Sequence, residues 1–303
     1  MSLAAVVITY NPDPGIAPRL KAIARECRTL YVVDNGSTAP ALAVLRKAAK
    51  AAKAKLVELR ENTGIAHAQN VGLTLAFKNK TQAVILFDHD STPRAGFAAA
   101  LMHSAAAYDQ AAIIGSRIYD VNLQAFAKHP CRGGLFFARR FCPESGILTE
   151  VLMVIASGTL VTRKVFDMVG GMREDFFIDY VDWEYCLRAR EKFAVPTVVC
   201  GAAVLEHARG ERKARRVLGF TLHPPGYSAM RYGYMFRNRA RLTREYFMKS
   251  RAFVAFEMVA TLRDFLLLVA EQRPFGLMWL ALRSWFTGLF QKSAPTKQPL
   301  ASE

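Results

Sequence analysis

"VILFDHDSTP", residues 84–93, decides the fold. Four consecutive apolar residues, Val84 to Phe87, fit a strand buried on both faces, as in a parallel sheet covered by helices. The strand runs straight into Asp88, His89 and Asp90. Carboxylates at a strand end either cap a solvated turn or hold a cation. Outward from this point the pattern repeats. "AAVVITY" (4–10), "TLYVVDNGS" (29–37) and "KLVELREN" (55–62) are apolar strands with polar ends, and residues 16–27, 40–52 and 65–79 between them are helical in composition and periodicity. Strands alternating with helices of about 10–15 residues predict βαβ units and a doubly wound α/β sheet. Ligands in such sheets sit at the carboxyl ends of the strands. The polar groups collect there: Thr9, Tyr10 and Asn11, then Asp34 to Ser37, Asn62 to Gly64, and Asp88 to Ser91. Together they outline a cleft of nucleotide size.

With 303 residues, 52% of them hydrophobic, the chain can bury a large core, and its composition excludes disorder. A net charge of +16 points to an anionic partner: nucleic acid, acidic lipid or a phosphorylated substrate. The five cysteines are scattered with no C-x-x-C pair, which favours reduced thiols in the cytosol over a disulfide or zinc framework. The first residues read as a strand and not as a signal peptide, and no apolar run reaches the length of about 18 residues that a membrane span needs. There is no G-x-G-x-x-G loop, Walker loop, H-E-x-x-H or G-x-S-x-G elbow, so hydride transfer, ATP hydrolysis, zinc proteolysis and serine hydrolysis recede.

From about Ile113 the pattern changes to short strand-like pieces, "AIIGSRIYD" (112–120), "GGLFFARRF" (133–141) and "VLMVIASGTLVTR" (151–163). They are followed by "DFFIDYVDWEYCLRARE" (175–191) and the strand "PTVVCGAAVLEH" (196–207). Between His207 and Arg251 stand twelve Lys or Arg against two acids. Residues 253–290 are helical in periodicity and rich in Phe, Leu, Met and Trp, too interrupted to span a bilayer but suited to lie on one. A nucleic-acid binder would also be basic, but this Arg-rich segment does not read as the aromatic-studded strands of single-strand readers, and it sits beside an apolar amphipathic stretch.

Five stretches in order, "VVITYNP", "VVDNGS", "ENTGIAHAQNVGL", "FDHDS" and "FIDYVDWEYCLRAR", resemble the family 2 glycosyltransferases of the GT-A fold. The form of the acidic motif and of "ENTGIAHAQNVGL" is most similar to bacterial rhamnosyltransferases that use dTDP-L-rhamnose. The resemblance covers residues 3 to about 210. It implies a GT-A catalytic domain over 1–222, with a nucleotide-sugar half (1–112) and an acceptor half (113–222); charge and helical periodicity mark 223–303 as a basic, amphipathic membrane-association segment. It also implies an inverting transfer from a nucleoside-diphosphate sugar, dTDP-L-rhamnose or a UDP-sugar, to a lipid-linked or saccharide acceptor. The expected setting is the inner face of the cell membrane, with an anionic lipid surface as partner and no nucleic acid.

Site roles follow residue by residue. Thr9, Tyr10, Asn11 and Asn62 are expected around the nucleotide. Asp34 either accepts from the base or ribose or caps the Asn35–Gly36 bend. Gly64 would let backbone approach the nucleotide, with Ala66 and Ala68 keeping the helix face clear, while Asn70 either contacts the ligand or ties the helix. Mg²⁺ or Mn²⁺ would neutralise the diphosphate. Asp90 is the expected ligand, with Asp88 toward the ribose and a second candidate ligand. His89 is expected to point away. His207 in "VLEHARG" either completes the metal site or packs in the core.

Asp182 falls where the family places its base, with Val181 standing where many relatives carry Glu. The competing reading of Asp182 is a residue of the helix's first turn, held by the dipole. Asp179 reads as a helix N-cap and Glu184 as an i,i+4 partner of Arg188. Gly158 and Trp183 are expected on the acceptor side. Arg237 either grips the diphosphate or belongs to a solvated face. On the same fold, a donor such as UDP-galactose or UDP-GlcNAc, or a nucleotidyltransferase activity, is the alternative.

Overall fold

The computed structural model describes residues 2–208, 215–217, 220–222 and 224–292. The N-terminal part alternates as expected: β1 (Leu3–Thr9), α1 (Ile16–Glu26), β2 (Thr29–Asp34), α2 (Ala39–Ala51), β3 (Lys55–Glu58), α3 (Ile65–Lys78) and β4 (Ala83–Asp88). β5 (Ser91–Pro93) follows at once, then α4 (Phe97–Ala107), an alanine-rich helix that the pattern above does not include. Next come β6 (Ile113–Asp120), β7 (Ala125–Phe126), β8 (His129–Gly133), β9 (Phe136–Arg140), β10 (Ile147–Leu148) and β11 (Thr159–Thr162). The chain goes on through α5 (Arg163–Val169), α6 (Val181–Phe193), β12 (Thr197–His207), β13 (Arg215–Val217) and β14 (Phe220–Leu222). It closes with α7 (Ala229–Tyr246), α8 (Arg251–Leu268) and α9 (Pro274–Phe290).

One sheet organises the chain, in the order β10-β12-β6-β11-β4-β1-β2-β3, with β5 on β12 and β7 on β6. β4, β1, β2 and β3 are parallel, as are β6 and β12, but β11 enters antiparallel between β4 and β6. The sheet is therefore mixed. Of the apolar run 151–163 only Thr159–Thr162 is strand; Leu152, Met153 and Val154 are buried as irregular chain. Burial there satisfies hydrophobicity without period, so the run misleads a strand reading.

The continuous apolar runs split by parity. Val6, Val33, Val84 and Leu86 face one core with α3, α5 and α6, while Val7, Val32, Ile85 and Phe87 face the other with α1, α2 and α4. Residues 253–290 are not one helix: α8 and α9 are separated by a turn, and Pro274 opens α9, where its missing N–H leaves no helical bond unmade. Tyr232, Phe236, Phe253 and Ala281 belong to the same buried cluster as Leu86 and Tyr185. The described part of the C-terminal segment thus packs into the same hydrophobic core as the sheet. α7 and α9 touch so closely that a Cβ on Gly288 would stand 2.1 Å from the Arg237 carbonyl oxygen. No helix among the described residues is long and apolar enough to cross a membrane.

Candidate active site

Strand register assembles the site. Thr9 pairs with Asp34 and Ile8 with Asp88, so the ends of β1, β2 and β4 lie side by side. Asp34 is buried and accepts from Thr9 Oγ1 at 3.0 Å and from the Ser37 N–H at 2.8 Å. Asn11 closes the same turn, its N–H donating to Ser37 Oγ at 2.7 Å and its Oδ1 accepting from the Thr38 N–H at 2.8 Å, while Tyr10 is exposed beside it. Asn62 Oδ1 accepts from Asn35 Nδ2 and from the Gly64 N–H, both at 3.0 Å. These side chains fix the rim of the cleft through one another.

Two expectations for this rim change. Gly64 has φ +89°, and an added Cβ would meet the Phe177 backbone at 2.7–2.8 Å. The Ile65 N–H also donates to the Phe177 carbonyl at 2.7 Å, so the close approach that Gly64 permits is to Phe177. Ala66 and Ala68 are fully buried in the core and do not line an open face. Asn70 ties the helix: its Nδ2 donates to the Met172 carbonyl and to Glu174 Oε1, both at 2.9 Å, and its Oδ1 accepts from the Met172 N–H at 2.7 Å.

β12 pairs antiparallel with β5 and sets His207 opposite Ser91. As a result ligand atoms of Asp88, Asp90 and His207 all lie within 4.8 Å of one another. His207 Nδ1 is 3.3 Å from Asp90 Oδ1 and 2.8 Å from Ser91 Oγ. Ser91 Oγ contacts Ser157 Oγ at 2.8 Å, and Ser157 Oγ accepts the Asp88 N–H at 3.0 Å. The two buried serines lock the loop between β4 and β5, a role no local signal in the sequence announces. Burial, then the nearby Asp90, raise the Asp88 pKa. Burial pushes Asp90 up too, but the hydrogen bond and charge of His207 outweigh it and hold Asp90 low. Two carboxylates and one imidazole fit a divalent cation of the Mg²⁺ or Mn²⁺ kind.

Asp182 lies in the first turn of α6. Its Oδ2 accepts from the Ala156 N–H at 3.1 Å and its Oδ1 from the Trp183 N–H at 2.9 Å. Burial against Leu86, Val154 and Cys186 raises its pKa to about 7; the two N–H donors pull down, and the charges of Asp88 and Asp179 push further up. Asp182 therefore lies within the electrostatic reach of Asp88. Trp183 packs edge-on against Tyr180 at 4.8 Å and against Phe256 of α8 at 5.7 Å. Gly158, with φ +76°, is required by packing, since an added Cβ would stand 2.3 Å from Ser116 Oγ.

The loop before α6 is strained, with positive φ at Phe177, Asp179 and Tyr180. Buried Asn238 holds it, Nδ2 donating to the carbonyls of Phe176, Ile178 and Asp179 at 2.8–3.0 Å. Arg237 Nη2 donates to the Asp175 carbonyl at 3.0 Å and to Asn238 Oδ1 at 2.9 Å, with the guanidinium over the Tyr234 ring. Its contacts belong to the loop. The guanidinium that faces the acidic cluster is Arg231, paired with both oxygens of Asp179 at 2.9–3.0 Å and electrostatically coupled to Asp88. Asp179 is therefore an ion-pair partner, and Tyr180 stands in the N-cap position expected of it. Glu184 pairs with Arg188 at 3.0 Å as its i,i+4 spacing predicts, with both side chains buried.

Polar groups at parallel strand ends, the Asp88–Asp90–His207 group and the buried Asp182 carboxylate coupled to Asp88 fit the GT-A glycosyltransferase fold. Residues 4–169 match the Glycosyl transferase family 2 profile, and the chain belongs to that family. It is 30% identical over 254 residues to the dTDP-rhamnosyl transferase RfbF of Shigella flexneri, covering 80% of this chain and 79% of that one. Among solved structures, GalNAc-T7 with UDP, GalNAc and Mn²⁺ is similar at a TM-score of 0.58 and 14% identity. That match covers 80% of this chain but only 47% of the other, about half its length. The Pyrobaculum calidifontis mannosyltransferase PcManGT, in complex with GDP-Man and Mn²⁺, gives a TM-score of 0.53 and 17% identity over 97% of this chain and 76% of its own. The protein is a glycosyltransferase.

Proposed function

We propose that the protein transfers L-rhamnose from dTDP-L-rhamnose, with inversion, to a lipid-linked or saccharide acceptor in the synthesis of a cell-surface polysaccharide or glycolipid. It would work as a peripheral protein on the cytoplasmic face of the cell membrane. The observation that carries the mechanism is the position of Asp182 within the field of Asp88, beside the Asp88–Asp90–His207 cluster. The donor is inferred from the rhamnosyl transferase relative.

In this reading the donor lies across the ends of β1, β2 and β4 with its diphosphate toward Asp88, Asp90 and His207. A divalent cation bound there supplies positive charge for the departing diphosphate. Mn²⁺ is favoured over Mg²⁺ because one donor is an imidazole nitrogen, and Mg²⁺ strongly prefers oxygen. Asp182 takes the proton of the acceptor hydroxyl as that oxygen bonds to the anomeric carbon. The bond from that carbon to the diphosphate oxygen breaks on the opposite side, which inverts the configuration. A pKa near neutrality suits a group that must accept a proton at neutral pH.

UDP-galactose or UDP-GlcNAc is the second reading for the donor, supported by the UDP in the structurally similar GalNAc-T7. A thermal-shift panel of dTDP-L-rhamnose, UDP-galactose, UDP-GlcNAc and GDP-mannose, each with Mn²⁺, with Mg²⁺ and with EDTA, separates them. The largest shift is expected for dTDP-L-rhamnose with Mn²⁺. A larger shift for a UDP-sugar would move the donor assignment, and no shift for any of them would remove the nucleotide-sugar reading.

A further inference from the structure

α8 and α9 turn outward a surface of unusual composition. Phe275, Trp279, Leu282, Phe286 and Phe290 recur at helical spacing and share one face of α9, away from the Ala281 and Gly288 side that is buried. Phe275 is 88% exposed, Trp279 70% and Phe290 81%. On α8 and just beyond it, Met258, Val259, Leu262, Leu266 and Val269 are exposed as well. Single apolar side chains on a surface are ordinary, but aligned stripes on two successive helices mark a docking face.

The charges around these stripes select the occupant. Among the described residues from 249 to 292, every exposed charged side chain is basic: Lys249, Arg251, Arg263, Arg273, Arg283 and Lys292. The acids turn inward. Glu257 accepts from Tyr180 and pairs with Arg239, Asp264 pairs with Arg239 at 2.6 Å, and Glu271 accepts from Tyr232 and from the Gly226 N–H. A second copy of this face would set cations against cations. An anionic lipid surface complements both the stripe and its rim.

The β8–β9 hairpin extends the same chemistry. Its turn exposes Leu135 and Phe136 between exposed Arg132 and Arg139. Phe137 packs edge-on against Phe256 of α8 at 5.1 Å, and Phe256 meets Trp183, the neighbour of Asp182. Hairpin, α8 and the helix bearing the carboxylate are thus joined by one line of aromatic rings.

We infer that the outer faces of α8 and α9, together with the tip of the β8–β9 hairpin, dock on an anionic lipid bilayer. The apolar stripes enter the interface and the Arg and Lys side chains meet the headgroups. The inference deepens the reading of a lipid-linked acceptor and rests on that reading for its purpose, since docking would fix Asp182 relative to a lipid-borne hydroxyl.

The test is co-sedimentation of the full chain with vesicles of phosphatidylcholine, with and without phosphatidylglycerol, beside the thermal response to dTDP with Mn²⁺. Wild type should pellet with the anionic vesicles. Trp279→Ser with Phe286→Ser should weaken binding by roughly tenfold per aromatic lost. Arg273→Ser with Arg283→Ser should weaken it by roughly fivefold per cation lost. Leu135→Ser with Phe136→Ser should weaken it too, whereas Leu123→Ser, an exposed apolar residue elsewhere, should not. A retained nucleotide response shows that each variant is folded. Wild type that ignores anionic vesicles, or variants that bind like wild type, would overturn the inference. So would a dimer, seen by light scattering, that Trp279→Ser with Phe286→Ser converts to a monomer. Vesicle binding without any response to dTDP would leave the surface standing and remove the dTDP-sugar assignment of the donor site.

Discussion

His207 Nδ1, at the end of β12, stands 3.3 Å from Asp90 Oδ1 in the β4–β5 turn, because β12 pairs antiparallel with β5 and sets His207 opposite Ser91. The imidazole supports Asp90 in its charged form, and both face Asp88. Asp90→Ala removes one hard ligand beside two phosphates and should abolish transfer together with the metal-dependent part of dTDP binding. His207→Ala should weaken metal binding without abolishing it, and His89→Ala should have a small effect. Calorimetric titration of dTDP with and without Mn²⁺ reads all three. Full activity in EDTA would refute the cation assignment.

The Asp182 carboxyl binds its proton more tightly in the folded protein, at a pKa of about 7 against an ordinary value of 3.8. Stability tied to this group is therefore fully present below about pH 4 and is lost as pH rises through about 7, by on the order of a few kcal/mol. Asp182→Asn lacks the penalty. In EDTA the variant should gain stability over wild type between pH 5 and pH 8 in urea denaturation. Equal pH slopes would show that Asp182 does not carry the shift. Turnover should run the other way, rising with pH as Asp182 loses its proton, with the midpoint moved below 7 by a bound cation.

Arg231 and Arg237 separate two roles. Arg231 faces the acidic cluster through Asp179, while Arg237 holds the loop at Asp175. Arg231→Ala should raise the donor KM more than Arg237→Ala does. Asn238→Ala leaves three loop carbonyls without their donor and should lower stability by about 1–3 kcal/mol. A larger donor defect in Arg237→Ala than in Arg231→Ala would restore Arg237 as the diphosphate contact.

The Glu184–Arg188 pair is buried, and Arg188 Nη2 also donates to the Gly171 carbonyl at 2.7 Å. Glu184→Gln leaves an uncompensated guanidinium inside the protein, at a cost of about 3–5 kcal/mol. Differential scanning calorimetry should show a large fall in Tm, with donor affinity near wild type once the variant is folded.

The parallel half of this architecture was legible because its strands are apolar on both faces and end in turn residues. The apolar run Val84 to Phe87 lies inside β4 (Ala83–Asp88). β11 was hidden inside a longer apolar run, since buried irregular chain and buried strand look alike in one dimension. Asp88, Asp90, Asp182 and His207 were visible through motif resemblance; the structure groups Asp88, Asp90 and His207, with Asp182 in the field of Asp88. Ser91, Ser157 and Arg231 were not singled out, because their roles depend on β5–β12 pairing and on where α7 lies. Gly64 and Gly158 illustrate the converse: each permits a close approach, but to Phe177 and to Ser116, contacts between segments far apart in the chain.

The most direct test of the central claim pairs a transfer assay with donor calorimetry on Asp182→Asn. The change keeps the volume of the side chain and removes the proton acceptor. Donor affinity should stay near wild type while turnover falls by roughly two to four orders of magnitude. An Asp182→Asn protein that turns over like wild type, or that fails to bind donor at all, would contradict the role of Asp182 as the base.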